Sequence, residues 1–458
     1  MARLNRRMGV LPAVVMGVAC GSGAAHGQGQ TPLDPQISKI VGEIRADNIE
    51  HTILKLVSFG TRNTLSVQDD PKRGIGAARD WLAAEFGRIS QESGGRLKVE
   101  LQSFEQPVAA RVPKPTRLTN VVATLPGTDP TSEQRMIVVS GHYDSMCSSP
   151  TDAEHDAPGA NDDASGSAAV VEMARVMSHY KFRATIVFMC VVGEEQGLLG
   201  STYFAQQAVL QKLPIAAMLT NDIIGSSLGA NGIHDDHSVR LFSEGISSLE
   251  TEAQARTRQS VGGEDDSTSR QLARFLKENA ERYVRKMHVT LVSRRDRYGR
   301  GGDHIPFTER GFAAVRFTEP NENYNHQHQN VRVENGIQYG DLPQFDDFPY
   351  IANVARVNAA GIAALALAPA PPQGVGLSTA RQSPDTDLRW TASIDPEVVG
   401  YEVVWRATTE PTWTHARTVG KVNAYTVSGL SKDNYFFGVR ALDKQGHRSP
   451  VTFPRPVR

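Results

Sequence analysis

From residue 118 the chain changes texture. Short apolar runs alternate with amphipathic stretches, in the order TNVVATL, RMIVVSGHYDS, SGSAAVVEMARVMSHY, ATIVFMCVVGEE, GSTYFAQQAVLQ and AAMLTNDIIG. Within each run the apolar residues are continuous, so a strand built from it must be covered on both faces. The intervening helices supply that cover. The pattern predicts an α/β fold with a mixed, mostly parallel sheet flanked by helices. Ligands of such sheets collect beyond the carboxyl ends of the strands. Helix-like stretches ISKIVGEIRADNIEHTILKLVS and GAARDWLAAEFGRIS precede this region. A last amphipathic helix, YIANVARVNAAGIAALAL, closes it, with Ile351, Val354, Ala355, Ile362 and Leu365 on one face broken by Asn358.

The strand ends carry the chemistry. MIVVSG delivers His142 and then Asp144; TIVFMCVVG delivers Glu194 and Glu195; AAMLTN delivers Asp222; and the loop PGANDDASG holds Asp162 and Asp163. That much negative charge beside apolar strands is costly unless a cation offsets it. Mixed imidazole and carboxylate donors suit zinc, whereas an all-oxygen set would suit magnesium or calcium. The number of carboxylates points to two ions. A bridging carboxylate is then needed, for which Asp162 is placed, and a bridging water acquires a pKa near about 7. Of two adjacent glutamates on a glycine turn, one can bind metal while the other acts as general base. The Asp162–Asp163 pair also stands where it can cap the helix that begins at SGSAAVV.

The ordered motifs SGHYDS, GANDDASG, VVGEEQGLLGS, NDIIG and GGDHIPF resemble those of the dizinc exopeptidase family that includes bacterial leucyl aminopeptidases, aminopeptidase Y and glutamate carboxypeptidase. The resemblance runs from about Arg117 to Leu367. It implies His142 and Asp222 as terminal metal ligands, Asp162 as the bridge, Glu195 as a ligand, Glu194 as the general base, and Asp144 as the group orienting His142. The family's last ligand is a histidine directly after tyrosine, with an aspartate four residues on. Here Tyr324 is followed by Asn325, His326, Gln327 and His328. His326 is taken over His328, because Asn330 stands four positions beyond it. Tyr324 is then displaced by one residue from the tyrosine that stabilises the tetrahedral intermediate, and Asp303 and His304 match a pocket-lining segment. His234 and His237, in NGIHDDHS, read as surface loop.

These features imply an exported zinc aminopeptidase acting on peptides. A glutaminyl cyclase or carboxypeptidase on the same scaffold is the enzymatic alternative, the latter needing cations such as Arg294, Arg295, Arg297 or Arg300 for a substrate carboxylate. A non-catalytic binding protein is the alternative from another class. With 49 basic and 50 acidic residues the formal net charge is -1, which provides no general attraction for nucleic acid or an anionic membrane.

At the amino end, Arg3, Arg6 and Arg7 precede an apolar stretch from Met8 to Cys20 and small residues near Gly27. This predicts a signal peptide over residues 1–27 and a secreted or periplasmic protein with no membrane span; lipoprotein processing at Cys20 is the rival reading. Cys147 and Cys190 are too few for a disulfide scaffold. The zinc peptidase domain is expected over 28–368. Beyond the proline-rich APAPPQG, residues 369–458 hold short alternating strands spaced as in a small all-β sandwich. LRW, GYEVVWR and GLSKDNYFFGVRALD resemble a fibronectin type III domain, with Trp390 and Leu430 as core, Tyr435 as its tyrosine corner, and polymer or surface docking as its expected use.

Overall fold

A computed structural model describes residues 32–129 and 135–458. The signal-peptide and Cys20 readings lie outside the described residues.

Three helices come first: α1 (Pro35–Glu43), α2 (Ala46–Val57) and α3 (Gly74–Glu92). Asp34 starts α1 by accepting the Ile37 N–H at 3.0 Å, with proline in the first turn. Ile37, Ile40, Ile49, Ile53 and Leu56 are essentially inaccessible to solvent. Each such side chain contributes about 1.5–3 kcal/mol on burial, so α1 and α2 are integral to the core.

The sheet is built from β1 (Lys98–Gln106), β2 (Thr116–Leu125), β3 (Met136–His142), β4 (Thr185–Val191), β5 (Ile215–Asn221), β6 (Ser238–Ser243), β7 (His288–Val292) and β8 (Ala314–Thr318). Their order is β1-β2-β4-β3-β5-β8-β6-β7. The central run β4-β3-β5-β8 is parallel, while β2 joins β4, and β6 joins β8, in antiparallel fashion. Between strands lie α4 (Gly166–Met177), α5 (Leu199–Leu210), α6 (Glu252–Val261), α7 (Thr268–Tyr283) and the short α8 (Ile305–Thr308). One face of the sheet packs on α1 to α4 and α7, the other on α5 and α8.

The connection through α4 carries the chain from β3 to β4, whereas the one through α5 returns it to β5 on the opposite side of β3. The strand order therefore reverses around β3, which opens a crevice at its carboxyl end. Backbones crowd there. A Cβ on Gly166 would stand 2.3 Å from Asn221 O, so only glycine fits.

A small hairpin, β9 (Arg332–Glu334) and β10 (Ile337–Tyr339), precedes α9 (Phe348–Leu367). Among the described residues α9 is the one helix long and apolar enough to cross a membrane, and it is mostly buried in the core. Asn358 does not break its packing: it is fully buried, and its Oδ1 accepts a hydrogen bond from Asn221 Nδ2 at 3.3 Å.

Residues Gln373–Val457 form β11 (Gln373–Ser378), β12 (Thr386–Thr391), β13 (Val398–Ala407), β14 (His415–Gly420), β15 (Ala424–Val427), β16 (Tyr435–Asp443) and β17 (Arg455–Val457). They make two sheets, β15-β12-β11-β17 and β14-β13-β16. The sheets share a core of Val375, Leu388, Trp390, Tyr401, Val403, Phe437 and Val439. This sandwich is fastened to the α/β body by one buried and two half-buried polar contacts. Arg406 Nη2 lies 2.8 Å from Asp266 Oδ2, Trp413 Nε1 donates to Gln271 Oε1 at 3.0 Å, and Arg440 Nη1 lies 2.9 Å from Glu278 Oε2.

Candidate metal centre

The carboxyl ends of β3, β4 and β5, the loop before α4 and the segment before β9 converge on one point. His142, the last residue of β3, is 1% exposed, and its Nε2 lies 3.1 Å from Asp162 Oδ1 and 3.9 Å from Asp222 Oδ1. Asp162 turns its other oxygen away: Oδ2 is 3.0 Å from His328 Nε2, which is in turn 3.1 Å from Glu195 Oε2. Two donor sets result, His142–Asp162–Asp222 and Asp162–Glu195–His328, the ligand atoms of each lying within 4.8 Å of one another. Asp162 belongs to both, with one oxygen facing each, as a bridging carboxylate must.

His326 is not part of this cluster. Its ring stacks on Phe345 with centroids 3.7 Å apart, and His328 occupies the position expected for it. The cause is a local turn. His326 N–H and Gln327 N–H both donate to Asn323 O, and His328 takes a left-handed backbone with φ 51°. Such a conformation costs a non-glycine residue about 1–3 kcal/mol. The turn is pinned by a reciprocal pair, Ser148 N–H to Asn330 Oδ1 and Asn330 N–H to Ser148 Oγ, each 3.0 Å.

The support beneath the cluster explains why the other ligands sit where they do. Gly193, at φ 73°, makes the turn that brings Glu194 and Glu195 to the crevice. The Asp144 carboxylate accepts both of their backbone N–H groups and the Thr64 hydroxyl. Asp144 also reaches His142: its backbone oxygen is 3.2 Å from Nδ1 and its carboxylate 3.6 Å. The neighbouring aspartates divide two tasks. Asp162 faces the imidazoles, while Asp163 caps α4 through Gly166 N–H at 2.9 Å and also accepts the His142 N–H.

Asp303 and His304 are buried, 1% and 0% exposed. Burial pushes the Asp303 carboxyl up to about 7 and the His304 imidazole down to about 4, and His304 Nε2 lies 2.8 Å from Arg295 O. Tyr324 is 63% exposed and points to solvent. His234 and His237 are exposed, as a surface loop should be. Cys147 and Cys190 are both free thiols.

Two arginines and one acid of the centre carry no motif. Arg62, fully buried, donates to the carbonyls of Tyr143, Pro158 and Gly159. Asp341 accepts the N–H groups of Asn161 and Asp162 at 2.9 and 2.7 Å. Arg316 lies 2.9 Å from Asp222. Only Arg316 has a sequence signal, a lone charge in the apolar run AAVRFT.

The residues fit a metal pair. Glu195 Oε1 is buried with no hydrogen-bond partner. Burial raises the Glu194 and Glu195 carboxyls above the ordinary range, a cost that a cation beside them would reverse. Burial would lower His328, yet Glu195 and Asp162 carry it up to about 11, so its nitrogen is held among acceptors that a metal would share. The donors are imidazole and carboxylate, as zinc prefers.

A centre of this kind at the carboxyl ends of a mixed sheet defines a metal-dependent hydrolase, and the comparisons give the family. The model of peptidase family M28 matches residues 120–342. A "Probable zinc metalloprotease" of Leptosphaeria maculans is 48% identical over 423 residues, spanning 92% of this chain and 97% of the relative. Another, of Pyricularia oryzae, is 48% identical over 432 residues, spanning 92% of this chain and 85% of its own. The chain belongs to peptidase family M28 and is a zinc metallopeptidase. Its fold is similar to that of the LapA aminopeptidase of Legionella pneumophila, with TM-score 0.52 and 21% identity over 73% of this chain and 76% of that one. LapB from the same organism gives TM-score 0.50 and 20% identity over 74% of this chain and 77% of that one.

Proposed function

We propose that the protein is an exported aminopeptidase that removes N-terminal residues from peptides. The observation that carries the metal chemistry is the Asp162 carboxylate, which presents one oxygen to His142 and the other to His328. His142 and Asp222 would hold one zinc ion, Glu195 and His328 the second, with Asp162 between them. Bound there, the pair supplies Lewis acidity for the scissile carbonyl and lowers the pKa of a water towards about 7. Burial raises the Glu194 carboxyl, and His142, Asp222 and Glu195 also act on its charge. The Glu194 carboxylate takes a proton from the attacking water and passes it to the leaving amine nitrogen, a role worth about 10² to 10⁴ in rate.

The arginines favour an amino-terminal over a carboxyl-terminal substrate. Arg297 and Arg300 share the buried Glu322 with Arg240, Arg297 pairs with Asp296 as well, and Arg295 lies 2.6 Å from Glu309. Arg294 lies over the Tyr298 ring. Each of the four arginines thus already has an acidic or aromatic partner. Export is supported by the arginines and apolar stretch of residues 1–27. A fibronectin type III reading of the sandwich is supported by its sheets of four and three strands and by buried Trp390.

The test is a peptide panel with free or acetylated amino ends and free or amidated carboxyl ends. Acetylation is expected to lower kcat/KM by at least about 10²-fold, on the scale of a missing transition-state contact, with amidation tolerated. The reverse pattern means a carboxypeptidase, and pyroglutamate release from N-terminal glutamine means a cyclase.

A further inference from the structure

One buried cation touches the centre from behind. Arg316, on β8, is inaccessible to solvent, and its Nη2 lies 2.9 Å from Asp222 Oδ1. This is the same oxygen that stands 3.9 Å from His142 Nε2. The guanidinium cannot swing away. Its Nη1 lies 3.3 Å from Asp296 Oδ2 and donates to Gly301 O, and its Nη2 donates to Asp222 O. Gly302 leaves it room, since a Cβ there would stand 3.0 Å from Nη1.

The other donor set has no such neighbour. Among the described residues no lysine or arginine pairs with the Glu195 carboxylate; its partner is His328, and Arg111 reaches only the Glu195 backbone oxygen. Both sets share Asp162, so the difference between them lies in Asp222 and Glu195.

We propose that Arg316 makes the two metal positions unequal: the Asp162–Glu195–His328 position binds tightly, and the His142–Asp162–Asp222 position binds weakly and empties first. A guanidinium hydrogen-bonded to a ligand oxygen withdraws electron density from it and competes with a metal ion for its lone pairs, an effect that is large where solvent cannot screen it. Arg316 is thus a positioning residue that both aims Asp222 and sets the affinity of its ion. At limiting zinc the chain would carry a single ion, and the supply of the second would control turnover.

This inference rests on the zinc-peptidase reading, and the experiment separates the two. Zinc is titrated into the chelated full-length protein against a competing chromophoric chelator, and bound zinc per chain is read directly by plasma mass spectrometry. The expected result is two binding steps whose dissociation constants differ by at least about tenfold, or about 1.4 kcal/mol. His142→Gln should abolish the weak step and leave the tight one. Glu195→Gln should do the opposite. Arg316→Met should narrow the gap by tightening the weak step, and Arg316→Lys should preserve it. Two equal steps in the wild type, or loss of the tight step in His142→Gln, overturns the proposal while leaving a zinc peptidase. Should Arg316→Met not fold, Arg316→Gln is titrated instead, and a gap as wide as the wild type's in either variant overturns the proposal. Binding of no zinc at all overturns the functional reading instead.

Discussion

Asp144 holds Glu195 by its backbone: the Oδ2 atom accepts the Glu195 N–H at 3.2 Å, while Oδ1 accepts that of Glu194 at 3.3 Å. One buried carboxylate at the end of β3 thereby sets the position of the acidic pair that follows β4. Its part extends beyond orienting His142.

Asp144→Asn should therefore be nearly as damaging as Asp144→Ala, because one of its two acceptors becomes an NH₂ facing an N–H. Support groups behind metal ligands are worth about 10–100-fold in metal affinity or activity. Zinc content and kcat/KM of both variants check this. An asparagine variant close to wild type would show that the backbone contacts matter little.

The two histidines after Tyr324 should separate cleanly. His328→Ala is expected to lose zinc and nearly all turnover. His326→Ala should retain both, at a stability cost of about 0.5–1.5 kcal/mol for the lost ring contact with Phe345. Metal analysis and thermal denaturation of the pair give the answer.

His447 bridges the sandwich to the first helix, with Nδ1 2.9 Å from Asp443 and Nε2 3.0 Å from Asp34. Burial alone would lower its pKa, but Asp443 and Asp34 raise it above the ordinary value. The contribution to stability is complete below the unfolded histidine pKa of about 6.5 and is lost as pH rises through the raised folded value. The gap in Tm between wild type and His447→Gln should be widest near pH 6 and shrink on going alkaline. A gap that widens with pH would contradict the assignment.

Arg406 is 2% exposed and pairs with Asp266, which is also held by Arg274 at 3.1 Å. Breaking a buried pair from one side costs about 3–5 kcal/mol. Arg406→Leu should lower the Tm of the whole chain, and deletion of residues 372–458 should yield an unstable or insoluble peptidase. A truncated chain with unchanged Tm and turnover would make the sandwich a separable module.

Much of this was legible in the sequence, for a physical reason. His142, Glu194, Glu195 and Asp222 each follow an apolar strand directly, and in a parallel sheet the ends of neighbouring strands lie side by side. Asp162 was legible because its loop sits between β3 and α4. His328 was not, since the choice between it and His326 depends on a turn closed on Asn323 and pinned by Ser148, contacts between residues 182 apart in the chain. The role of Arg316 is not legible, because a single charge in an apolar strand states that a partner exists without saying which. Asp303 and His304 match a pocket motif and are buried, and the motif alone does not state which way a buried polar group faces.

The central claim is that these residues hold zinc for a reaction in which Glu194 moves the proton. Its most direct test is Glu194→Gln, loaded with zinc to saturation, with bound metal and peptide turnover measured on the same sample. Two zinc ions per chain with turnover lowered by about 10² to 10⁴ is the expected result. Undiminished turnover in the zinc-loaded variant would contradict it.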